Sequence, residues 1–125
     1  DLVVRALLKG LSDEVWSVRE AAAETLGRVK GKSATNEMID ALEDPYWQVR
    51  VKAARSLGQI KAVSAVHALA PSLLHDISNL RKEAAAALGE IAHSSALSYL
   101  EKAEGDPDPD VNKNIRWAIS QIKAA

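Results

Sequence analysis

Three stretches decide the fold: VREAAAETLGRV at Val18–Val29, VRVKAARSLGQI at Val49–Ile60 and LRKEAAAALGEI at Leu80–Ile91. They start 31 residues apart and share the pattern Val-Arg-x-x-Ala-Ala-x-x-Leu-Gly-x-Ile, and a degenerate fourth copy follows at Val111–Ile122. A fixed period of this length marks a repeat architecture, in which each copy is one supersecondary unit. Within each copy the apolar places fall at helical spacing. Positions 18, 22, 26 and 29 form one stripe and are expected to face the core.

Upstream of each copy lies a second helical register. Val4, Leu7, Leu8 and Leu11 recur one period on as Thr35, Met38, Ile39 and Leu42, and again as Val66, Leu69, Ala70 and Leu73. The next period reads Leu97, Leu100, Glu101 and Glu104, with the last two apolar places now acidic. The spacing predicts helical hairpins, with first helices near 2–11, 33–43, 64–75 and 95–104. Second helices are expected near 14–30, 45–61, 77–92 and 109–123. Asp13, Asp44 and Asp76 are expected to cap the second helices, and Ser33 and Ser64 the first. Pro45 is placed at a first helical position, where its missing N–H costs nothing. Asp76 stands one residue late, which implies a shorter turn in the third repeat, and Pro71 should kink the helix around it. A hairpin with apolar residues on several sides buries them by stacking on its neighbours. The expected fold is therefore all-α: one α-solenoid domain over 1–125, with units near 1–12 (partial), 13–43, 44–75, 76–105 and 106–125 as a C-terminal cap.

Composition agrees and excludes several classes. Of 125 residues 47% are hydrophobic but only 4% aromatic, and 22 are alanine, which suits helices packed closely through small side chains. Cysteine is absent, so disulfides, thiolate zinc sites and cysteine nucleophiles are excluded. A formal charge of -1 offers no bulk field for nucleic acid or acidic lipid. Apolar runs are too short to span a bilayer and no signal peptide is visible, so neither nucleic-acid nor membrane partners are expected and a cytoplasmic setting is.

The string Asp-x-x-Trp-x-Val-Arg-x-x-Ala-Ala-x-x-Leu-Gly-x-Ile resembles the short HEAT-like repeat of phycobilin lyases, over essentially the whole chain. The resemblance implies an aspartate–arginine ladder along the stack: Asp13 with Arg19, Asp44 with Arg50, Asp76 with Arg81, within or between repeats. Asn112 replaces the arginine in the fourth copy, where the ladder should stop. HEAT-like deoxyhypusine hydroxylases hold iron with repeated His-Glu dipeptides; none occurs here, so that activity is not carried over.

No catalytic set, metal site or cofactor is expected. His67, His75 and His93 lie far apart without ligand spacing, and Asp106–Asp110 matches a calcium loop for three positions before Val111 and Trp117 break it. The surface is more informative. Glu101, Glu104 and Arg116 make the C-terminal end polar, as a terminal repeat requires. At the other end Leu2, Val3, Val4, Leu7 and Leu8 have no preceding hairpin. A fragment, self-association or a domain contact through this helix is the expectation.

The stripe opposite the core should line the concave face. It holds Ser17, Glu20, Glu24 and Arg28 in the first copy, then Gln48, Val51, Lys52, Arg55 and Gln59. The third copy contributes Lys82 and Glu83, and the fourth Lys113 and Trp117, with Trp16 and Trp47 at the rim. Tryptophan is enriched at interface hot spots. The expected function is a non-enzymatic scaffold binding a protein or peptide there; the alternative is a lyase-type subunit assisting bilin attachment to a phycobiliprotein.

Overall fold

The computed structural model covers residues 1–125, and every element in it is helical. Hairpin one is α1 (Leu2–Leu11) and α2 (Trp16–Arg28); hairpin two is α3 (Thr35–Ala41) and α4 (Trp47–Gln59). Hairpin three is α5 (Val66–Leu69), continued by a tighter turn over Ala70–Leu74, and α6 (Ser78–Ile91). Hairpin four is α7 (Leu97–Ala103) and α8 (Pro109–Ala124). The four second helices start at Trp16, Trp47, Ser78 and Pro109, so the period of 31 holds throughout. Each packs against the next, which makes the row a solenoid. No helix is long and apolar enough to cross a membrane.

The period is also the period of burial. Leu26, Leu57 and Leu88 are fully buried, as are Met38, Leu69 and Leu100, and Val49, Leu80 and Val111. The two leucine and methionine columns, with Val111, run into one core cluster spanning Val4 to Ile122, and each fully buried leucine adds roughly 1.5–3 kcal/mol. Val18 and Val29 depart from expectation, being 41% and 45% exposed. Their later equivalents are covered by the hairpin before them, and in this structure no hairpin precedes the first.

Close packing needs the glycine of the pattern. A Cβ built on Gly58 would stand 2.8 Å from Ala87 Cα, so α4 and α6 meet almost backbone to backbone. At the ends of the second helices the chain turns through a left-handed residue, Lys30, Lys61 or Ala92, with φ of 55°, 55° and 54°. The N–H of Gly31 then donates to Leu26 O at 2.9 Å and that of Ala62 to Leu57 O at 3.1 Å, closing both helices.

The turn chemistry corrects several expectations. Asp13 Oδ1 accepts the Val15 N–H at 2.8 Å and Asp44 Oδ1 the Tyr46 N–H at 2.9 Å, so both shape the turn ahead of the helix rather than cap its first residue. Asp76 does neither. The register 13, 44, 75, 106 places His75 there, and its Nδ1 accepts the Ile77 N–H at 3.0 Å. The third turn is therefore not shorter; Asp76 was matched by residue type and His75 by position. Pro45 lies two residues before α4, and it is Pro109 that opens a helix, with Asp108 capping it. Ser33 and Ser64 sit inside short 3-10 turns that precede α3 and α5, and neither caps them. Pro71 acts as expected, since α5 ends after four residues and the segment continues as 3-10 turn.

Candidate binding face

Side by side, α2, α4, α6 and α8 present equivalent positions in columns that step by about one period. The face they form is cross-linked along the stack. Lys52 Nζ lies 3.0 Å from Glu24 Oε2, and Arg55 Nη1 lies 4.0 Å from the same oxygen. Arg55 also forks onto Glu83, Nε to Oε1 at 3.3 Å and Nη2 to Oε2 at 3.0 Å. The hydrogen bond from Lys52 holds the Glu24 carboxyl below its usual range. The bond to Glu83 raises Arg55 against the opposing effect of burial. Further along, Asn114 Nδ2 donates to Lys82 O at 3.2 Å. Lys30 and Lys61 donate to the carbonyls of Gln59 and Glu90, near the ends of the neighbouring helices.

Not every predicted residue shares this environment. Val51 is buried, because the face turns inward there. Glu20, Gln48 and Lys82 are half-buried, while Arg28, Gln59 and Lys113 are exposed. Gln48 Oε1 is buried without a partner. Trp16 is half-buried and stacks on Tyr46, centroids 5.4 Å apart and planes 10° off parallel. Arg19 Cζ lies 5.8 Å from the Tyr46 centroid. Trp47 opens α4 and is 37% exposed, while Trp117, mid-α8, is 38% exposed with its ring against Gly89. Eight residues of helix, on the order of 12 Å, separate the level of Trp117 from the helix starts that carry Trp16 and Trp47.

Between α4 and α6 lies a cleft of about 360 Å³ whose floor is Gly58, Ala86 and Ala87 and whose walls include Arg55, Glu83 and Glu90. Trp117 stands one period beyond Ala86, and its ring lies against Gly89 of α6. Sequence reasoning missed the roles of Tyr46, Ser56 and Asp106. Ser56 Oγ donates to Ala23 O at 2.5 Å across two helices, and only its place in an alanine column could have hinted at burial. No group of three or more His, Asp or Glu side chains comes together to hold a metal ion.

A family profile for HEAT repeats matches residues 4–86, two-thirds of the chain. The chain belongs to the HEAT-repeat family. A profile for the PBS lyase HEAT-like repeat matches residues 80–106. No curated protein matches the chain in sequence. Among solved structures, this HEAT-repeat chain is similar to one in the complex of CpcE and CpcF of phycocyanin lyase from Nostoc. The TM-score is 0.87 at 24% identity, over 97% of this chain and 53% of that one. Human deoxyhypusine hydroxylase, solved in complex with glycerol, gives 0.82 at 27%, over 98% and 44%. An engineered protein gives 0.82 at 24%, over 97% and 62%. The chain spans about half the length of the first of these structures, and the likenesses under 25% identity carry the fold alone.

Proposed function

We propose that this HEAT-repeat chain is a non-enzymatic scaffold that binds a protein or peptide along the face of its second helices. The observation that carries the reading is the cleft between α4 and α6, with its alanine and glycine floor and charged walls. A floor of small side chains lets an extended backbone approach closely, and the half-exposed Trp117 on α8, its ring against Gly89 of α6, supplies the large, stiff contact of a hot spot. Trp47 and Trp16 are secondary anchors at the rim. Because Lys52 and Arg55 are tied to Glu24 and Glu83, the face is a preorganised set of paired charges, and it orients a partner carrying both signs rather than a phosphate backbone.

The test is a peptide array probed with the purified chain and with Trp117→Ala and Arg55→Ala. Peptides retained by the parent should bind each variant at least tenfold more weakly, with circular dichroism unchanged. Equal retention by all three proteins removes the face from the account. Mixing the chain with free bilin separates the lyase-type alternative, which requires a shift of the bilin absorbance.

A further inference from the structure

We propose that the chain carries a carboxylate-binding site at Arg50, on the first-helix side of the stack and apart from the face just described. The aspartate–arginine ladder, expected within or between repeats, runs between them, with Arg19 on Asp44 and Arg81 on Asp106. Arg19 forks onto Asp44, Nε to Oδ2 at 2.7 Å and Nη2 to Oδ1 at 3.1 Å. Its Nη1 donates to the carbonyls of Asp13 and Glu14 at 2.8 and 3.1 Å. Arg81 repeats this on Asp106, at 2.8 and 3.1 Å, with Nη1 on the carbonyls of His75 and Asp76. Each carboxylate lies 25 residues after its arginine.

Counting 25 from Arg50 reaches His75. There is no carboxylate, and Arg50 forms no ion pair with any residue. Its one hydrogen bond runs from Nε to the Asp44 carbonyl at 2.5 Å, so both Nη groups are unspent. His75 does not replace the missing acceptor. Its Nδ1 takes the Ile77 N–H, which leaves the proton of the neutral ring on Nε2, a donor. The middle rung of the ladder thus has two donor groups and no acceptor.

The space is open as well. A cleft of about 500 Å³, the side of α3 forming one wall and the Pro71 turn the other, is lined by Asp40, Glu43, Arg50, His67, Ser72 and His75. His67 is engaged elsewhere, its Nδ1 2.6 Å from Tyr99 Oη. The two flanking rungs display what completes such an arginine, a planar carboxylate gripped by two parallel N–H bonds. Asp40 and Glu43 on the same wall favour a singly charged group over a dianionic phosphate. The ligand class is therefore a carboxylate, supplied by a partner's aspartate or glutamate or by a small free acid.

The arginine Nε–H signals in a nitrogen-15 spectrum read this site directly. Acetate, N-acetylaspartate methylamide and inorganic phosphate are titrated at constant ionic strength. Saturable movement of the Arg50 signal at millimolar carboxylate is expected, while the Arg19 and Arg81 signals, whose forks are filled, stay in place. A capped-aspartate constant tenfold below that of acetate assigns the site to a partner's side chain, and parity assigns it to a free acid. His75→Asp supplies the missing rung internally, so carboxylate binding should weaken at least tenfold and the melting temperature should rise. Arg50→Met, followed through the backbone amide signals of Asp44 and His75, gives a second reading of the same loss if His75→Asp folds poorly. No saturable shift, equal shifts of all three arginines, tighter binding of phosphate, or binding that survives both substitutions overturns the site.

Discussion

A carboxylate gripped by an arginine responds to acid differently from one in water, and Asp106 is the clearest case in this chain. The hydrogen bond from Arg81 is the main cause holding its carboxyl below the usual range, with the Asp108 N–H adding to it and burial opposing. For Asp44 burial is the largest influence and pushes upward, yet the Arg19 fork, the Tyr46 N–H and the nearby charges of Arg19 and Arg50 together outweigh it. A carboxyl lowered on folding contributes stability above its unfolded value, about 3.9, and loses it as pH falls through the lower folded value. Asp106→Asn should therefore cost about 1–2 kcal/mol at neutral pH. Thermal melts taken stepwise to lower pH should show the gap to the parent closing below about pH 4. A gap that stays constant to strongly acid pH would mean the fork adds nothing through charge. At this scale the sequence was partly legible: the resemblance to HEAT-like repeats implied aspartate and arginine as ladder residues. Their pairing across repeats could not be read, since it depends on how far each hairpin is offset on the next. His75 carries no signal by residue type, because the adjacent Asp76 has the chemistry of the turn aspartates while His75 holds their position.

Helices in this stack are set by contacts a few tenths of an ångström wide, and Gly58 is where that can be measured. Alanine there gains about 1 kcal/mol of helix propensity. It also drives a Cβ to 2.8 Å from Ala87 Cα and 3.1 Å from Ala87 Cβ, against backbone that cannot swing aside. Overpacking of this kind costs about 1–3 kcal/mol. Gly58→Ala should destabilise on balance, lowering the denaturant midpoint with little change in slope. The end of α6 offers the opposite experiment. Ala92 holds φ of 54° as the residue after Ile91, a conformation that strains an L side chain and suits glycine. Ala92→Gly should raise stability by about 0.5 kcal/mol, the strain relief exceeding the extra unfolded-chain entropy. A calorimetric melt that moves down would place the strain elsewhere. Helix existence and order could be read from period and stripe, as could the break at Pro71. The starts could not: Ser33 and Ser64 have the right chemistry for caps but sit in 3-10 turns ahead of α3 and α5, and Pro45 lies in the turn two residues before α4.

Over the whole molecule, a solenoid makes the value of a residue depend on whether a neighbour exists on each side. Val18 and Val49 occupy the same place in the pattern, yet Val18 is 41% exposed and Val49 is fully buried. Losing two methyl groups from a filled site costs roughly 2 kcal/mol, at about 0.8 kcal/mol for each carbon plus the void left behind. Val49→Ala should therefore lower stability by about that much, and Val18→Ala by under about 0.5 kcal/mol, as at an ordinary surface site. Native-state hydrogen exchange should show the same asymmetry without any substitution. Amides of α4 and α6, flanked by second helices on both sides, should open only with global unfolding, and those of α1 should exchange first. Equal losses from the two valines would mean that the first hairpin is covered in solution by something that buries Val18, Val29 and Val15 together. A concentration-dependent difference then identifies the cover, because a second copy meeting this apolar end would restore the cost of Val18→Ala only where the dimer forms.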